Sequence, residues 1–191
     1  MSSYKQRKVE DSAEFGSLVT EELSKIENIE LVILRGHILI EYALTRFIEN
    51  YCPEEGYTLD DKFPFYQKFQ VCRILGLYSG DEKDLIDQIN IINKMRIQIA
   101  HKLTFDKTLL PNLYKYHKGI KDVAKKVKSG NKDLLCLTMI FAYLCGYLAA
   151  RGAALITVEN SIREHALNKP NTDNNISNSV QGKLSDLKIR K

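Results

Sequence analysis

Apolar residues recur every three or four positions along most of the chain, the periodicity of helices that bury one face. Six helical segments follow from it. The first covers about residues 9–26. The second runs from about 30 to 51 and is stopped by Pro53. Residues 53–61, rich in acids and Gly, form a loop. The third starts near Phe63-Pro64, since proline is tolerated in a first turn, and ends at Gly76. Ser79-Gly80-Asp81 then caps a fourth that reaches about Leu103. Pro111 opens a fifth, which stops before Ser129-Gly130, and a long sixth spans residues 131–167. From Asn168 onward the chain is polar, rich in Asn and Ser, and without aromatics. Such a segment cannot bury enough apolar surface to offset its ordering, so residues 168–191 are expected to be a disordered tail. The fold expected is all-α: one bundle of about six helices over residues 1–167, with a long C-terminal helix.

Two of these helices carry charge where the pattern calls for apolar groups. Leu85, Ile89, Ile92, Ile99 and Leu103 follow a 4–3 spacing, and Arg96 falls on that stripe. In the second helix Leu34, Ile38, Thr45 and Ile48 do the same, with Glu41 among them and Arg35 and His37 within two turns. A buried charge without a partner is costly. A Glu41–Arg96 ion pair between the two helices would resolve both anomalies, and is the expectation. A short echo links Arg35-Gly36-x-x-Leu39-Ile40 with Arg151-Gly152-x-x-Leu155-Ile156, too brief to define a repeat.

Composition narrows the class. The net charge of +4 is too mild to announce a nucleic-acid binder by itself. Cys52, Cys72, Cys136 and Cys145 form no CxxC pair and have no His at zinc spacing, so they read as reduced thiols in a cytoplasmic protein. The N-terminal residues show no signal-peptide core. Residues 134–150 are nearly all apolar, but they are slightly short for a membrane span and Arg151 follows at once. A buried central helix, or one at a subunit interface, is expected instead, with no membrane partner.

The candidate chemistry is sparse. Arg96 and His101 can support metal-independent RNA cleavage: a histidine moves a proton, and an arginine stabilises charge building on a phosphate. Five residues of helix turn through roughly 140°, so the two would meet only at a distorted helix end or across a dimer axis. His37 and Glu41 at i, i+4 lack a third ligand, so neither a metal nor another cofactor is expected. Residues 115–132 are lysine-rich; Lys118, Lys121 and Lys125 are candidate nucleic-acid contacts, with Tyr114, Tyr116 and His117 at the start of the run. RNA is thus a candidate partner.

Ile92-Asn93-Lys94-Met95-Arg96, followed by Ala100-His101-Lys102-Leu103-Thr104-Phe105-Asp106, resembles the signature of the mannitol operon repressor family and of HEPN-type helical domains. Leu34-Arg35-Gly36-His37-Ile38-Leu39-Ile40-Glu41 resembles the Arg-Gly helix of that repressor family. The likeness covers roughly residues 28–108. It implies an all-α bundle, often dimeric, acting as a regulatory or interaction module, with transcriptional regulation through an unknown protein partner as the expected role. Arg35, His37, Glu41 and Asn93 would support the site. For HEPN ribonucleases of the toxin or phage-defence type, it implies that Arg96 and His101 are the catalytic pair. Those enzymes usually carry a polar residue directly after the arginine; here it is Ile97, which cannot hydrogen-bond the imidazole or a phosphate.

Overall fold

A computed structural model describes residues 12–52, 57–60, 62–78, 83–126 and 131–167. The fold is all-α, with no strand among the described residues. Its helices are α1 (Ser12–Ser24), α2 (Ile29–Tyr51), α3 (Phe65–Ile74), α4 (Lys83–Lys102), α5 (Leu109–Tyr114), α6 (Lys118–Lys126) and α7 (Lys132–Leu167). The expected polar tail, the cap at 79–81, the stop at 129–130, most of the loop at 53–61 and the first residues of the first helix lie outside the described residues. The chain divides into two compact units, Met1–Thr157 and Val158–Lys191. Of the second, the last turns of α7 are described, with Val158 and Ile162 exposed and Glu159 paired to Arg163 one turn on.

Local chemistry sets the helix ends. The Asn28 side chain accepts the Leu31 N–H at 2.9 Å and caps α2. At the end of α3, Gly76 adopts φ +82°. Its N–H reaches the Arg73 carbonyl while Leu77 N–H reaches Cys72, the paired bonds of a Schellman stop. Asn131 caps α7 by accepting from Asp133 and Leu134 N–H. The fifth expected helix is two helices. After Tyr114 the chain tightens, with Tyr116 N–H bonded to Leu113 and His117 N–H to Tyr114. Side chains hold that break. Tyr116 Oη bonds Asp87 at 3.3 Å, and the buried His117 ring meets Gln88 on α4.

The core of the first unit depends on close approach between α2 and α7. A Cβ on Gly36 would lie 2.5 Å from ring carbons of Phe141, which is fully buried. Eleven residues further along each helix the roles reverse: a Cβ on Gly152 would lie 2.9 Å from Phe47. The constant offset means that α2 and α7 run parallel here. Each supplies one aromatic ring to a glycine notch on the other. The Arg-Gly echo in the sequence therefore marks two places where backbone must meet a ring. Phe141 is fully buried, so Gly36→Ala should destabilise the fold by about 1–3 kcal/mol through overpacking, despite alanine's better helix propensity. Gly119→Ala, where open space surrounds the position, should cause no loss. Chemical denaturation of the two variants checks the contrast.

Candidate functional site

On α4 the buried positions are Leu85, Gln88, Ile89, Ile92, Met95 and Ile99. The seam continues through Met95, fully buried, rather than through Arg96. Both positions fit a helical stripe three or four residues beyond Ile92. The apolar side chain takes the inward one, which rotates the guanidinium onto the exposed flank. The expectation of a buried Arg96 is thus corrected. Leu103 does not extend the stripe either. It is 86% exposed and takes φ +59°, a left-handed backbone rare for leucine, where it ends α4. His101 and Lys102 are exposed in the last turn, where the helix dipole favours cations. Ile97 is 42% exposed.

The Glu41–Arg96 pair is not formed. Glu41 instead receives the Lys68 ammonium from α3 at 2.7 Å, with the Lys68 side chain only 9% exposed. Arg96 and His101 have no ion-pair partner among the described residues. The stripe read on α2 also needs rotation. Ile38 is 53% exposed, and the buried face carries Ile33, Gly36, His37, Ile40, Leu44 and Phe47. Arg35 lies on the surface and ties α2 to Glu22 of α1 at 3.2 Å.

What the helices do bring together is a polar centre where α2, α3 and α4 meet. His37 is 2% exposed and its ring sits 4.3 Å from that of Phe65, at the start of α3. Its Nε2 is buried without a hydrogen-bond partner. Burial pushes the His37 pKa down to about 4, and the nearby Arg96 charge acts in the same direction. Glu41 and the Asn93 side chain oppose the shift. Four of the sequence candidates, His37, Glu41, Asn93 and Arg96, therefore share one neighbourhood, with Lys68 as the member that periodicity missed. Lys68 lies beside Phe65, Phe69 and Cys72 at helical spacing, a signal of an inward lysine. His101, one turn and a half beyond Arg96 and rotated away from it, contributes nothing to this centre.

The remaining candidates separate. Lys118 and Lys125 are exposed on α6, where Lys125 pairs with Asp122 at 2.8 Å. The Lys121 side chain lies outside the described residues. The aromatics before α6 do not offer a stacking platform. Tyr114 is buried and bonded to Asp133 at 3.0 Å, and His117 is buried with its pKa lowered by desolvation. All four cysteines are free thiols; burial raises Cys72 and Cys145 to about 12, which leaves both unreactive. No group of three His, Cys, Asp or Glu side chains able to hold a metal occurs among the described residues. No protein-family model matches the chain, and comparison with curated proteins and with solved structures finds no match.

Two measurements follow. His37 binds its proton less readily folded than unfolded, so its contribution to stability is intact above pH 6.5 and declines as pH falls towards 4. The loss reaches at most about 3 kcal/mol. A His37→Leu variant should show a flatter stability profile than wild type across that window. Arg96→Ala should change unfolding free energy by less than about 0.5 kcal/mol, as for surface positions generally. A much larger loss would mean that the guanidinium is a structural partner after all.

Proposed function

We propose that this chain is a homodimeric regulatory or interaction module, similar in kind to the mannitol operon repressor family, and that it acts in the cytoplasm through a protein partner. The observation that carries the reading is the outward side of α7. The most apolar 18-residue stretch within Lys132–Ala166 has a mean hydropathy of 1.7, yet only 44% of that stretch is buried. By length and composition it could also cross a membrane. The uncovered positions favour another helix. Tyr143, Tyr147, Ala150, Ala154 and Thr157 follow a 4–3–4–3 spacing, and each is exposed or half-buried. That is the seam a second helix packs against, with small residues allowing close approach at its middle. Its lack of charge suits a second copy of the same surface, since an isologous contact places like on like.

Sedimentation equilibrium should give a dimer for the wild type. Ala154→Arg should give a monomer with unchanged helical circular dichroism. A monomeric wild type at micromolar concentration contradicts the reading.

Metal-independent RNA cleavage is the second reading. It is favoured by one observation: Arg96 and His101 are both exposed and free of ion pairs. Dimerisation would be needed to bring an arginine of one copy near a histidine of the other. Incubation with single-stranded and structured RNA in chelator tests it. Cleavage lost in both Arg96→Ala and His101→Ala would make the protein an enzyme. Absence of cleavage by the wild type leaves the regulatory role alone.

A further inference from the structure

The end of α4 holds a leucine where the backbone suits glycine. Leu103 N–H bonds the Ile99 carbonyl at 2.8 Å, and the residue then turns into the left-handed region at φ +59°. A side chain there strains the backbone, and glycine would not. Leucine recovers nothing by burial, since it is 86% exposed. The turn that follows is anchored. Phe105 is buried, and Asp106 N–H donates to Gln98 Oε1 at 2.9 Å. The Asp106 carboxylate accepts from Thr108 N–H at 2.9 Å and from its hydroxyl at 2.7 Å. Leu103 is therefore held out by the fold. A strained and exposed apolar side chain, kept in place by its neighbours, points to a use outside the fold.

Its surroundings are cationic. Lys94, Arg96, Lys102 and Lys107 are all exposed, against one acid, Asp106, in residues 94–107. The Thr108 bonds lower the Asp106 pKa most, and the nearby Lys94 charge lowers it further. Lys94, Ile97 and His101 follow one another at three and four residues, which lines them along the outer side of α4. Ile97 is 42% exposed there. From Lys94 to Leu103 the strip is roughly 14 Å long at the usual helical rise. It presents two apolar side chains, Ile97 and Leu103, with cations on either side.

We propose that this strip docks an acidic, amphipathic segment of a partner protein. The inference rests on the reading of the chain as an interaction module and names the chemistry of its partner. Charge complementarity selects an acidic surface. The apolar side chains then select among acidic surfaces. A nucleic-acid backbone would engage the cations but leave Leu103 in water, and residues 94–107 hold no exposed aromatic ring on which a base could stack. A peptide lying along α4 can cover Ile97 and Leu103 with its own apolar side chains while its carboxylates meet Lys94, Lys102 and Lys107.

Fluorescence anisotropy with a labelled helical peptide built from Glu and Leu tests this, with a control in which Lys replaces every Glu. The acidic peptide should bind saturably at one site per chain, and the control should not. The double variant Lys94→Glu/Lys102→Glu, with unchanged helical circular dichroism, should weaken binding at least about tenfold. Leu103→Gly should weaken it by about as much, through lost apolar contact, and should also raise the midpoint of chemical denaturation by relieving the backbone. A gain in stability with a loss of binding is an outcome that a purely structural leucine would not give. Ala154→Arg, on α7, should bind the peptide as the wild type does, so failure of the dimer reading leaves this inference standing. A dimeric wild type that ignores the peptide overturns this inference alone. It is also overturned by equal affinity for the Lys control, by unchanged affinity in Leu103→Gly, or by tighter binding of single-stranded RNA or of phosphatidylglycerol vesicles that the same substitutions weaken.

Discussion

The structure turns on two glycines that let aromatic rings reach backbone. Gly36 admits Phe141 and Gly152 admits Phe47, so α2 and α7 lie close and parallel through the middle of the first unit. Once Gly36 faces α7, the rest of α2 has little choice of orientation. His37, the next residue, is carried 100° further round the helix, towards Phe65 of α3 and the flank of α4. Glu41, one turn on from His37, then falls beside Lys68. The polar centre is thus a consequence of where the rings sit, and it needs no charged contact to organise it.

The helices themselves were legible in the chain. Apolar periodicity predicts each long segment, and Gly76 marks the stop of α3 with the bonds expected of a glycine in the left-handed region. The fine rotation of each helix was not legible. Position 95 and position 96 both satisfy a stripe running through Ile92 and Ile99. Only packing in the folded core decides that Met95 enters and Arg96 leaves. The same ambiguity placed Ile38 on the inside of α2, where Gly36 and His37 belong. Glycine reads as a weak helix residue in sequence, so its role as a notch for a ring is invisible until the ring is seen. The split between α5 and α6 was hidden for a related reason: the residues at the break, Tyr116 and His117, look like part of a basic surface run but turn inward to Asp87 and Gln88.

The same correction reshapes the functional picture. A guanidinium locked to Glu41 would have been scaffolding. Arg96 is instead exposed, and Lys68 takes over the structural duty of pairing with Glu41. The outward side of α7 is a separate feature: less than half of the helix's most apolar stretch is buried.

The packing of Gly36 under Phe141 can be observed directly by proton NMR. A glycine Hα pressed against the face of an aromatic ring is displaced strongly upfield by the ring current. One Gly36 Hα should resonate well upfield of the ordinary glycine range and return to it in Phe141→Leu. Two Gly36 Hα signals at ordinary positions in the wild type would contradict the close approach of α2 and α7, and with it the placement of His37 at the junction.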